Sequence, residues 1–209
     1  KNPFDANGFF LGNASGVNGN NNDYVAWVWK GGGDAVTGTG SGVSAVSVSA
    51  NTEVGFSIVK YTGGNSASDT VNHGLTDAEM IILKDLDDTN NWRVWHKDLS
   101  ANHWLYLNLT NAEASAASDG GIRNVDSNSF GFINGTTAGV EGVNSSSSSY
   151  IAYVWKSKSG YSRISSYTGT GASHTLYTTD DGSVSGSNGF EPSFLIIKRT
   201  DSADAWQIY

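Results

Sequence analysis

Apolar and polar positions alternate with a period of two through most of this chain, which is the spacing of strands rather than helices. The clearest run is YVAWVWK at 24–30. Val25, Trp27 and Trp29 fall on one side of it, and Tyr24, Ala26, Val28 and Lys30 on the other. Both sides are mostly apolar, which predicts a central strand covered on two faces. YIAYVWK at 150–156 keeps the split through Ile151, Tyr153 and Trp155. Comparable runs predict strands at 43–49, 54–61, 79–84, 92–97, 103–109, 129–133, 161–167, 174–178, 193–199 and 205–209. GGG, TGG, NGT and DDGS between them are turn chemistry. Only the stretch near 110–117 offers a helical turn. Many short strands so spaced predict a sandwich or barrel.

The two aromatic strands belong to a longer repeat. GFSIVKYTG at 55–63 is matched by GYSRISSYTG at 160–169, with one residue inserted. MIILK at 80–84 is matched by FLIIK at 194–198, and each is followed eight residues later by a tryptophan, Trp92 and Trp206. DANGFFLGN at 5–13 more loosely resembles DSNSFGFING at 126–135. The order of blocks never changes. These matches predict an all-β chain of two tandem, jelly-roll-like β-sandwich units, one over 1–125 and one over 126–209. By the length of the first copy the second stops roughly 35–40 residues short, so the parent chain is expected to continue past Tyr209.

Composition agrees with a β-rich surface protein. The chain has 26 Gly, 2 Pro and no Cys, with aromatics at 11 %, too many for a disordered chain. Charged residues are only 15 % and the net charge is −8, which argues against holding a phosphate backbone or an anionic membrane surface. With no cysteine there is neither a disulfide nor thiolate chemistry. No apolar run approaches the length of a membrane-spanning helix.

Candidate chemistry is sparse. His73, His96, His103 and His174 show no metal-ligand spacing and read as structural or solvated. Asp85, Asp87 and Asp88, followed by Asn90 and Asn91, present oxygens that suit Ca2+. The stretch fails the EF-hand pattern, with Asn90 at the sixth position and His96 at the twelfth, and a solvated hairpin turn explains it as well. Glu53, Glu79, Glu113, Glu141 and Glu191 do not repeat between the copies, and no G-x-S-x-G elbow occurs, so no enzyme is expected. Trp29, Trp155, Trp92 and Trp206 are expected in cores. Trp104 and Tyr106, in NHWLYLNLT, are the candidates for contact with a flat sugar or a protein partner. Asn13, Asn108, Asn134 and Asn144 begin glycosylation sequons of a kind that arises by chance in so Asn- and Ser-rich a chain.

Taken in order, GFSIVKYTG, the NHGL element, MIILK with NWRVWHK, NSFGFING, YIAYVWK and FEPSFLIIKRTD resemble a repeat domain of uncharacterised function. That domain looks like one found in long virion and tail-fibre-like proteins of marine tailed phages. Its YIAYxF, GYSxxxxYTGxG and FxPxFxxIKRTD patterns fall here on Tyr150–Lys156, Gly160–Gly171 and Phe190–Asp201. The family's VGHGLG element and following Pro are replaced by VNHGLTDAEM, and the second copy has no HGL. The resemblance implies a structural component of a phage virion appendage or fibre, lying on the virion outside cells. Its implied partners are other virion subunits or further copies in a homo-oligomer, and a host surface glycan. It supplies no catalytic residues. The alternative is a carbohydrate-binding or adhesin module of a bacterial surface protein.

Overall fold

The computed structural model describes residues 4–5, 7–115, 120–135, 140 and 142–209. In chain order the elements are β1 (Phe4–Asp5), β2 (Gly8–Phe9), the short helix α1 (Ser15–Asn18), β3 (Val36–Thr37), β4 (Gly40–Ser41) and β5 (Ser44–Asn51). Then come β6 (Phe56–Thr62), β7 (Thr70–Asn72), β8 (Met80–Asp85), β9 (Arg93–His96), β10 (His103–Tyr106) and β11 (Ala114–Ser115). The series ends with β12 (Gly121–Arg123), β13 (Ser129–Ile133), β14 (Ser149–Trp155), β15 (Ile196–Ile197) and β16 (Gln207–Ile208).

Every strand pairing among the described residues is antiparallel, and two sheets form the body of the protein. The larger runs β11-β10-β9-β8-β14-β6-β5-β3, with the two-residue β11 extending a seven-stranded sheet at its edge. The smaller runs β12-β13-β7-β4. Alternation along each strand sends one set of side chains between the sheets. Val59, Ile81, Leu83 and Ala152 from the larger sheet meet Val71, Ile122, Phe130 and Phe132 from the smaller in one buried cluster. The result is a β-sandwich, as the alternation predicts.

The expected division at 125/126 does not describe these sheets. β13 and β14 both lie after residue 126, yet β13 sits inside the smaller sheet and β14 is a central strand of the larger. β14 pairs along its whole length with β6 and over six residues with β8. One sandwich therefore spans Val36 to Trp155 and draws on both sequence copies. The physical reason lies in β6 and β8, which are joined through β7 and leave a gap between them that one apolar strand fills. YIAYVWK supplies it. Tyr150, Ala152 and Val154 are fully buried between the sheets, while Ile151, Tyr153 and Trp155 are half-buried on the opposite face. Here a strand covered on two sides is what the structure shows.

The sister segment fares differently. Residues 24–30 carry no strand, and Val25 and Val28 are largely exposed. A strand exists through its pairing neighbours as much as through its own side chains, and the slot between β6 and β8 is already taken by β14. Strands expected at 161–167 and 174–178 are likewise absent, and those at 193–199 and 205–209 shorten to β15 and β16. In place of a helical turn near 110–117, Ala114–Ser115 form β11 against β10, and residues 116–117 lie outside the described residues.

Candidate functional site

Three of the four histidines are tied into the fold, and His174 is exposed. His73 is fully buried, where its Nε2–H donates to the Asp126 carbonyl and its Nδ1 accepts from the Leu75 N–H. Burial pushes its imidazole below the ordinary histidine range, partly countered by the Asp126 carbonyl. His96 Nδ1 accepts from the Asp98 N–H, and His103 Nδ1 bonds the Ala101 carbonyl, so each is tied to its own turn.

The acidic loop after β8 closes on itself. Asp85 Oδ1 accepts the N–H groups of Asp87 and Asp88, and its Oδ2 accepts from Asn90 Nδ2. Asp87 Oδ2 turns away to the Ser149 N–H, and Asp88 Oδ1 takes the Thr89 N–H. The Lys84 ammonium donates to the carbonyls of Asp85 and Asp88. The three carboxylates suggested for Ca2+ thus serve separate donors, and a protein cation already sits against the loop carbonyls. Among the described residues no group of three His, Asp or Glu side chains is placed to hold a metal ion. The sequon at Asn144 is buried, its side chain bonded to Gly64, Ser66 and Asp69.

Trp104 is 1 % exposed. Its ring lies against Gly121, where an added Cβ would stand 2.2 Å from the indole. It therefore has no face to offer a sugar, which corrects its reading as a contact residue. Leu105, on the opposite face of the same strand, is buried as well, so β10 is covered on both sides here. Tyr106 is half-buried, with the Arg93 guanidinium 4.7 Å over its ring, and its carbonyl accepts from Trp206 Nε1.

The exposed aromatics gather elsewhere. Trp29 meets Trp155 edge to face with ring centroids 5.9 Å apart, and Trp155 lies 5.2 Å from Phe56. Phe194 touches both Trp27, at 5.9 Å, and Trp29, at 6.0 Å. Trp27 remains 51 % exposed and Trp29 41 %. These tryptophans do not fill two equivalent cores; they join one surface cluster. Phe56 and Phe194 were not singled out by sequence, although both sit in repeated blocks, GFS and FLIIK, that carried the signal.

The chain is thus an antiparallel β-sandwich with a cluster of aromatic rings at its surface. It matches the family described as Domain of unknown function (DUF7483) over residues 2–209 and belongs to that family. No curated protein and no solved structure matches it.

Proposed function

We infer that this protein is a structural module of a phage virion appendage or fibre, exposed outside cells and able to touch the host surface. The observation that carries the reading is the interlock of the two sequence copies. A strand from the second copy, β14, is hydrogen-bonded on both edges inside the sheet of the first. Pulling the copies apart along the chain requires unzipping two ladders at once, which suits a part that bears load. Repeating units also let a stalk lengthen by adding modules. The low content of charge fits a scaffold. Imaging intact phage particles with an antibody against this chain tests the reading. Labelling on a tail or fibre is expected; particles that stay unlabelled while the protein accumulates elsewhere would overturn it.

The alternative, a carbohydrate-binding or adhesin module, draws on the exposed rings of Trp27 and Trp29. Flat aromatic faces stack on sugars. A glycan array with the intact chain and with Trp27→Ala separates the two. Binding lost in the variant, with the fold retained, favours the adhesin.

A further inference from the structure

The second copy reproduces part of the first copy's sheet, residue for residue. Matching MIILK to FLIIK makes Ile82 and Leu83 the counterparts of Ile196 and Ile197. Matching Trp92 to Trp206 makes Arg93 and Val94 the counterparts of Gln207 and Ile208. In the sandwich, β8 and β9 pair Ile82 with Val94 and Leu83 with Arg93. In the second copy, β15 and β16 pair Ile196 with Ile208 and Ile197 with Gln207. The register is the same. The glycine that opens each GFS or GYS block is also held alike, with φ +70° at Gly55 and +69° at Gly160. A left-handed backbone at both positions is a conformation that L side chains rarely adopt.

What the second sheet lacks is its middle. In the first, β14 lies between β6 and β8 and sets Trp155 opposite both Phe56 and Met80. The counterparts of Phe56 and Met80 are Tyr161 and Phe194, and no strand joins them. The counterpart of β14 is the unpaired segment 24–30, in which Trp29 stands for Trp155. Trp29 already packs against Phe194 at 6.0 Å, and Trp27, two residues back, touches the same ring. A directly opposite pair and its diagonal neighbour are what antiparallel strands bring together.

We propose that residues 24–30 form the central strand of a second sheet in the same chain, between residues 161–168 and 194–198. The register places Trp29 opposite Phe194, Val28 opposite Leu195 and Trp27 opposite Ile196. The two copies then exchange strands reciprocally: the second copy lends 149–155 to the first, and the first lends 24–30 to the second. The exchange satisfies backbone groups along 161–168 and 194–198 that would otherwise form open sheet edges, which invite pairing with other chains. It is independent of whether the protein sits on a virion.

The cysteine-free chain gives a direct test. Val28 and Leu195 are 73 % and 43 % exposed, so Val28→Cys with Leu195→Cys leaves the sandwich core untouched. Opposed strand positions bring Cα atoms within the range a disulfide needs. Under mild oxidation of dilute protein, a disulfide within the monomer is expected. Val28→Cys with Ile196→Cys, shifted by one residue, points the two side chains to opposite faces and should stay reduced. Hydrogen exchange on the unaltered chain should show amides 25–30 protected to an extent comparable with those of 149–155. A disulfide that links two chains would overturn the proposal in favour of strand donation between copies. Rapid exchange at 25–30 with no specific crosslink would overturn it outright.

Discussion

Tyr61 and Tyr150 face each other across β6 and β14 with rings stacked at 5.1 Å and 17° between their planes. One comes from each sequence copy, and both are buried. Their hydroxyls reach the same loop, Tyr61 donating to the Val143 carbonyl and Tyr150 accepting from the Ser145 N–H. The pair therefore ties the inserted strand, its neighbour and the loop that leads into it. Tyr61→Phe keeps the stacking but leaves the carbonyl of fully buried Val143 without this donor. A loss of about 1–2 kcal/mol is expected, by the usual cost of a buried polar group left unpaired. Tyr150→Phe should cost less, because Ser145 is only half-buried. Urea unfolding of both variants checks the order.

Trp104 offers a sharper contrast between a ligand contact and a core residue. Truncating a fully buried tryptophan leaves a large cavity, and Trp104→Ala should cost about 3–5 kcal/mol. Gly121→Ala attacks the same contact from the other side, since its Cβ would meet the indole at 2.2 Å. Overpacking of this sort costs about 1–3 kcal/mol. Both variants should lower the thermal midpoint. If Trp104→Ala instead retains stability, the indole is not part of the core.

A chain ended at Val125 tests the interlock. It lacks β13 and β14, so β6 and β8 are left with no strand between them and β7 and β12 lose their shared neighbour. Although this fragment is the whole first sequence copy, it should show no cooperative unfolding transition and no protected amides in β8. A fragment of residues 32–157 contains every strand of the two sheets and should unfold in one step. Hydrogen exchange and denaturant titration distinguish them.

The difference between those two fragments measures what could be read from sequence. The period-two pattern located β5, β6, β8, β9, β10, β13 and β14, each of which lies within or across a run of alternating apolar residues. It also found the duplication, since YVAWVWK and YIAYVWK, or MIILK and FLIIK, are recognisable without a structure. Pairing was not legible. Nothing in YIAYVWK states that it fills a gap between strands of the other copy, because a strand's partners are set by distant residues. The same silence made Trp104 look like a contact residue: the pattern of HWLY does not say that both faces of the strand are covered, as burial of Trp104 and Leu105 shows. The aromatic cluster was half visible, through Trp29 and Trp155, and the arrival of Phe194 depended on the path of the chain.

Acid sensitivity follows from His73 and His96. Burial lowers both imidazoles, with the charges of Asp98 and Glu79 near His96 and of Asp126 and Asp77 near His73 only partly opposing it. In the unfolded chain a histidine takes up its proton near pH 6.5. Below that pH the unfolded state binds more protons than the folded one, so stability falls as pH falls. Their contribution is complete above about pH 6.5 and declines through the interval down to their folded values. The carboxylates act in a lower window. Backbone N–H groups of Asn128 and Ser129 hold Asp126 below its usual range; Glu79 is raised by burial but lowered further by hydrogen bonds from Lys97 and Ser157. Their stabilising effect is present above the ordinary carboxylate range, near pH 4, and is lost as the pH drops through it. The urea midpoint should therefore decline in two stages, a first below about pH 6.5 and a second below about pH 4. His96→Gln, at a half-buried site, should reduce the first stage to the share of His73 and leave the second. A midpoint that holds constant from pH 7 to pH 5 in the unaltered chain would show that these imidazoles are not buried as described.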